Sequence, residues 1–143
     1  MEDPKDMRIH SISNSELDRR WKAAREMMRE YKIDFLLMRN DNQFSVGYVK
    51  WFSDFSAENS FPFSVIFPVD DEMTLISVGG FPPSEVRPPQ WALRGVKERL
   101  GAPYFISAYY TSTYDAELAV GVLKKKKEKR IKEIEKLQHK MAL

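Results

Sequence analysis

The strongest constraint on the fold is an apolar stripe with helical period in residues 14–31, followed at once by a short apolar run. Before the stripe, Ser13 and Glu16 match a capping box, in which the Ser hydroxyl accepts from the third helical amide and the Glu carboxylate reaches back to the cap amide. The pattern predicts a helix over 14–31. Residues 33–38 are apolar without alternation, which predicts a strand covered on both faces inside an α/β sheet. The stripe consists of Leu17, Trp21, Ala24, Met28 and Tyr31.

Helix and strand patterns alternate along the rest of the chain, and their order predicts a single three-layer α/β domain with a mixed central β-sheet flanked by helices. Asn and Asp at 40–42 end the first strand, because these residues favour turns. We expect a flexible segment over 1–12, the folded domain over 13–123 and a basic helical tail over 124–143. The further elements predicted are a short helical turn around 42–48, a loop over 49–60, strands over 63–67 and 73–78 joined by a hairpin connection at 69–72, a helix from Pro89 to a stop at Gly101, a strand over 103–107, and a helix from Asp115 into a lysine run.

Composition excludes several classes of site. The 143 residues include no cysteine, which excludes a disulfide framework, a cysteine nucleophile and Cys-ligated zinc. The two histidines, His10 and His139, lie far apart in the sequence, so no histidine metal site is expected. No apolar run approaches the roughly 20 residues of a membrane helix, and the first ten residues are charged where a signal peptide would be apolar. We therefore expect a soluble, cytoplasmic protein with no membrane partner.

Basic residues are concentrated at the end of the chain. Residues 124–143 carry nine Lys and Arg against three Glu, whereas residues 1–123 carry 14 basic and 18 acidic side chains. The run of lysines at 124–127 could neutralise phosphates and bind nucleic acid in a salt-dependent way. However, no aromatic residue between 115 and 143 is available to stack on a base. A solvated helix end is favoured, and we expect no nucleic-acid partner.

Patterns that carry chemistry are weak in this sequence. The acidic Asp70-Asp71-Glu72 lies where a hairpin turn is expected, and a solvated turn explains it. Gly79-Gly80 opens neither a dinucleotide-binding fingerprint nor a phosphate-binding loop. No Ser–His pairing is indicated. We therefore expect no catalytic and no metal-binding residue in this chain.

Residues 40–59 mix polar and aromatic side chains and form the best candidate for a binding surface. Aromatic residues supply contact area and polar groups supply orientation, as in ligand sites and protein interfaces. The alternative, that several of these rings only cap the core under a long loop, is equally consistent with the sequence. The mixed residues are Asn40, Asp41, Asn42, Gln43, Phe44, Tyr48, Trp51, Phe52, Asp54, Phe55, Glu58 and Asn59.

Several segments, taken in order, resemble the N-terminal domain of the creatinase/prolidase/aminopeptidase P family. In that family an arginine-containing helix leads into a hydrophobic strand and then into a second helix with a Tyr and a Gly. Here Phe44 or Ser45 stands where the family often has Tyr. The resemblance covers most of 13–123. The segments that carry it are Arg19-Arg20-Trp21 through Met28, the strand at 33–37, Asn42 through Tyr48, Phe61 through Pro68, and Tyr114 through Ala119.

The resemblance implies a ribonuclease H-like lobe that is not itself catalytic. Members of the family place catalysis in a C-terminal pita-bread domain, where two Asp, one His and two Glu hold two divalent metal ions (Mn, Co or Zn) in the peptidases, whereas creatinase works without metal. The N-terminal domain helps to form the homodimer, and its loops close over the partner subunit's active site and limit substrate length. For this chain the resemblance implies contact with such a catalytic domain in an Xaa-Pro peptidase (aminopeptidase P- or prolidase-like) or a creatinase-like hydrolase.

The loops expected to face such a site follow the first strand and precede the second. Residues 131–137 depart from the family pattern, because they are charged and helical in spacing and resemble the first helix of the catalytic domain. A shortened chain is one hypothesis. The alternative is a stand-alone ligand- or protein-binding module that lacks the catalytic domain. The residues expected at the substrate-access or interface surface are Asn40, Asp41, Trp51, Asp54, Phe55 and Glu58.

Overall fold

The first helix begins where its capping signal predicts. In the computed structural model, which describes residues 12–40, 48–54, 63–78, 94–102 and 114–141, the Ser13 side chain accepts from the amide of Glu16 at 3.2 Å. Helix α1 then spans Asn14–Glu30, which confirms the predicted helix. The Glu16 carboxylate accepts from the guanidinium groups of Arg19 and Arg20.

The remaining elements of the described chain are four strands and two helices. The predicted hairpin and the predicted last helix are both confirmed, and the helix runs without a break through the lysine run. Within the described ranges, no helix combines the length and apolar character needed to cross a membrane. The elements are β1 (Phe35–Asn40), α2 (Tyr48–Ser53), β2 (Phe63–Pro68), β3 (Met73–Val78), β4 (Val96–Ala102) and α3 (Tyr114–Met141).

The four strands form one mixed sheet in the order β1-β2-β3-β4. Strands β1 and β2, and β2 and β3, pair antiparallel, whereas β3 and β4 pair parallel. The mixed α/β sheet is therefore as predicted. The predicted interior position of the first strand is wrong for the described sheet, because β1 lies at its edge and Leu37 is more than half exposed. Its apolar run arises because Leu36 and Met38 pack on one face of the sheet and Phe35 on the other.

Helices cover both faces of the sheet. Successive side chains on a strand point to opposite faces, so Val65 and Phe67 contact the layer of α1 and α2, whereas Ile66 contacts α3. Each face has its own core, and burying one such large apolar side chain contributes about 1.5–3 kcal/mol. The first core contains Met28, Val49, Phe52, Phe63, Val65, Phe67, Met73 and Leu75; the second contains Ile66, Ile76, Ala102, Ala119 and Val122.

Two predictions of local structure are wrong. The helix predicted to run from Pro89 to Gly101 is replaced, in its described part, by strand β4. Val96 and Leu100 are four positions apart, a spacing that fits one helix face and also one strand face, and Gly95 at φ 68° turns the chain into the strand. The loop predicted over 49–60 contains helix α2 up to Ser53, because burial of Val49 and Phe52 stabilises a segment with no clear period of its own.

Two further predictions fall wholly or mostly outside the described part of the chain. The predicted strand at 103–107 and most of the helical turn predicted around 42–48 lie outside the described residues. Only Tyr48 of that turn is described, and helix α2 begins at this residue.

The Glu16 ion pairs make the stability of α1 dependent on pH. Hydrogen bonds first from Arg19 and then from Arg20 lower the pKa of Glu16 to about 2. Because the folded-state pKa is depressed, this contribution is present above the unfolded pKa and is lost as the pH falls from about 4.5 toward 2. We expect Glu16→Gln to reduce the free energy of unfolding at pH 6 and to have a smaller effect at pH 2, measured by urea denaturation. Glu26→Gln, on the same helix, is the control, and an equal effect of Glu16→Gln at both pH values contradicts the prediction.

Candidate functional site

Helix α2 presents two aromatic side chains to solvent. Residues three apart on a helix share a face, and here Val49 and Phe52 point into the core while Tyr48 and Trp51 point outward. The exposed fractions of Tyr48 and Trp51 are 68% and 39%. Tyr48 and Trp51 are therefore exposed on one face of the helix, whereas Phe52 on the other face caps the core, as the alternative interpretation expects.

The Trp51 ring is held in place by helix α1. The Arg20 guanidinium lies 5.3 Å from the centroid of the Trp51 ring, and its Nη1 donates to the Trp51 carbonyl at 3.2 Å. Arg20 Nε in turn donates to Glu16. A stacked guanidinium of this kind contributes about 0.5–1 kcal/mol at an exposed site. The contact with Arg20 thus favours one orientation of the exposed ring before any partner binds.

Asp54, another predicted site residue, faces the interior. It is 2% exposed and adopts a positive φ of 60° directly after α2. Its Oδ2 accepts from the Ile12 amide and from Arg94 Nη2, both at 3.1 Å. Arg94 Nη1 donates to the Ile12 carbonyl and to Asn14 Oδ1, both at 2.7 Å. The carboxylate therefore joins the end of α2 to the start of α1 and to the segment that precedes β4.

The other predicted site residues are described only in part. Asn40 is the last residue of β1, where its backbone pairs with Phe63. Asp41, Phe55 and Glu58 lie outside the described residues. Of the six, the structure therefore places Trp51 on the surface, Asp54 in the interior and Asn40 at the end of an edge strand.

A second feature, not predicted from the sequence, is a cleft of about 460 Å³ between α3 and one end of the sheet. Segments far apart in the chain contribute its walls: the start of β1, the β2–β3 turn, β4 and the basic part of α3. No local pattern could have indicated it, because its residues meet only in the folded chain. The lining residues are Asp34, Phe35, Asp70, Asp71, Lys97, Lys126, Lys129, Arg130, Glu133 and Ile134.

Asp71 is the centre of the charge network in this cleft. Its carboxylate is bonded to Lys97 and, at 3.2 Å, to Lys126, and it also accepts from the Glu72 amide at 2.9 Å. These contacts, that of Lys97 first, hold the pKa of Asp71 well below its usual range. Arg130 Nη1 donates to Asp34 in the same cleft. The lysine run is therefore solvated at Lys124, Lys125 and Lys127, whereas Lys126 docks against the sheet.

In the described parts of the chain, no three His, Cys, Asp or Glu side chains are arranged to hold a metal ion. Comparison with known proteins identifies no relative: no family model, no curated protein and no solved structure matches this chain. The resemblance to the creatinase/prolidase/aminopeptidase P family stays a hypothesis.

Proposed function

We propose that this chain is the non-catalytic N-terminal lobe of an Xaa-Pro peptidase, or of a creatinase-like hydrolase, and that it contributes to dimerisation and substrate access. The observation that carries the proposal is the exposed pair Tyr48 and Trp51 on α2. The same proposal includes a ribonuclease H-like fold for this lobe. It also includes a pita-bread catalytic domain, with its metal ions in the case of a peptidase, in the same parent protein.

The order of the elements supports this assignment. Helix α1, strand β1, strand β2 and the first turns of α3 coincide with segments that carry the family resemblance. Helix α2 begins at Tyr48, the last residue of the segment that resembles the second helix of the family. The sequence between these elements supplies the remaining candidate residues, Asp41, Phe55 and Glu58.

The physical argument rests on what two exposed aromatic side chains can do when one of them, Trp51, is already oriented by Arg20. Trp and Tyr dominate the energetics of protein interfaces, because they bury a large area while losing little side-chain entropy. Trp51 is already oriented by Arg20, so binding orders it at little cost. A second copy of the chain, in the dimer that the proposal includes, fits this chemistry.

Dimerisation through α2 is tested by sedimentation equilibrium. We expect the chain to self-associate, and we expect Tyr48→Ala combined with Trp51→Ala to weaken the association at least tenfold, since each interface aromatic typically accounts for about 1–2 kcal/mol or more. The matched control is Tyr31→Ala, which removes an aromatic side chain that is 64% exposed at the end of α1. A chain that stays monomeric at all concentrations, or a dimer that the double variant leaves unchanged, contradicts the proposed contact.

The non-catalytic role is tested by a direct assay. The purified chain, supplied with Mn²⁺ or Co²⁺, is expected to release no proline from an Xaa-Pro dipeptide. Release of proline above the metal-only background overturns the proposal that this chain is not catalytic.

A further inference from the structure

The charges that line the cleft are not all paired. Asp71 is shared by Lys97 and Lys126, and Arg130 is bonded to Asp34. The Asp70 carboxylate, by contrast, makes no hydrogen bond or ion pair within the described ranges and acts on Arg25 only at longer range. One acidic group of the cleft is therefore available to a ligand.

A basic group is available as well. Lys129 Nζ lies 3.8 Å from Glu133 Oε1, beyond hydrogen-bond distance, and these two side chains are 76% and 60% exposed. An exposed ion pair of this geometry contributes little to stability. A carboxylate ligand can therefore compete for Lys129 without disrupting the core.

Apolar surface lies between these charges. Phe35 is half-buried in the wall of the cleft, with Lys126 Nζ 5.9 Å from its ring centroid. Ile134 contributes an exposed branched side chain from α3. The lining as a whole contains four basic and four acidic side chains. A formally neutral lining of this kind disfavours a ligand with a large net charge.

We propose that the cleft binds a small zwitterion, a free amino acid or a dipeptide, with its ammonium group on Asp70, its carboxylate on Lys129 and its side chain against Phe35 and Ile134. The cleft volume of about 460 Å³ lies within the range of small-molecule sites. The proposal concerns a different surface from α2 and does not depend on the proposed function.

Binding is tested with L-leucine and two blocked analogues. It is measured by isothermal titration calorimetry and by changes in the amide chemical shifts of the whole chain. N-acetyl-L-leucine lacks the ammonium group and L-leucinamide lacks the carboxylate. Because a hydrogen bond to a charged group typically contributes tenfold or more in affinity, each analogue is expected to bind at least about tenfold more weakly than L-leucine. Equal binding of N-acetyl-L-leucine would identify a simple anion site and overturn the proposal, as would no binding of L-leucine at millimolar concentrations.

Side-chain variants test which residue binds each end of the ligand. Asp70→Asn and Lys129→Gln are each expected to weaken L-leucine binding about tenfold. Asp70→Asn should leave the weaker binding of N-acetyl-L-leucine unchanged, because that analogue has no ammonium group to lose. The matched controls are Asp18→Asn on α1 and Lys125→Gln on the outer face of α3, both exposed and outside the cleft. An equal loss in the control variants, or no loss in the cleft variants, contradicts the assignment.

Discussion

Gly95→Ala is expected to lower the free energy of unfolding by about 3 kcal/mol, through backbone strain and a steric clash that add together. Gly95 adopts φ 68°, a conformation that costs a residue with a Cβ roughly 1–2 kcal/mol. A Cβ built at this position lies 2.6 Å from Cη2 of Trp21. The ring cannot move away freely, because its Nε1 donates to the Phe52 carbonyl at 2.8 Å. Urea or thermal denaturation measures the effect.

A second glycine provides the matched control. Gly121 lies within helix α3, and a Cβ built there meets nothing within 4 Å. Gly121→Ala is therefore expected to stabilise the chain by about 0.5–1 kcal/mol, the ordinary gain in helix propensity. Gly95→Ala should cost less when Trp21→Leu is already present, because the clash is then absent, and the two energies should therefore be non-additive. If Gly95→Ala and Gly121→Ala have the same effect, the described packing of Trp21 on the turn before β4 is wrong.

Asp54→Ala is expected to cost about 3 kcal/mol, the lower end of the range for breaking a buried ion pair. The substitution removes the acceptor shared by the Ile12 amide and Arg94. Alanine also disfavours the positive φ of 60° that ends α2. The loss should appear as a lower denaturation midpoint with an unchanged denaturant slope, since the surface area exposed on unfolding stays the same.

Asp54→Asn separates the contribution of the carboxylate charge from that of the positive φ at this position. Asn tolerates positive φ and keeps an oxygen acceptor of the same size, so it should cost about half as much as Ala. Asp18→Ala, an exposed carboxylate on α1, should change stability by less than about 0.5 kcal/mol. A loss at Asp54→Ala no larger than that at Asp18→Ala would show that this carboxylate does not join α2 to α1.

Local signals in the sequence account for those elements that carry their own caps and periods. Helix α1 has a capping Ser at 13 and a continuous apolar stripe, and the hairpin of β2 and β3 has two apolar runs around an acidic turn. Strand β4 could not be predicted in this way. The spacing of Val96 and Leu100 fits both periods, and the strand is specified by its parallel pairing with β3, a long-range contact. Helix α2 likewise depends on the burial of Val49 and Phe52.

In the candidate site, too, some features can be predicted from the local sequence and others depend on long-range contacts. The aromatic and polar mixture at 40–59 left open whether its rings form a binding surface or cap the core, and in the structure Trp51 is exposed whereas Phe52 is buried. It did not indicate that Asp54 turns inward, since its partner Arg94 is 40 positions away. The cleft was missed entirely, because Asp70 and Lys129 come from a turn and a helix that meet only in the folded chain.

The central claim, that the exposed aromatic face of α2 is an association surface, is tested most directly by hydrogen–deuterium exchange of the whole chain at low and at high protein concentration. We predict that protection rises with concentration in peptides that contain residues 48–54, while peptides from 125–136 on α3 exchange at the same rate in both samples. Concentration-dependent protection that is absent from 48–54, or that falls instead on α3, would contradict the account.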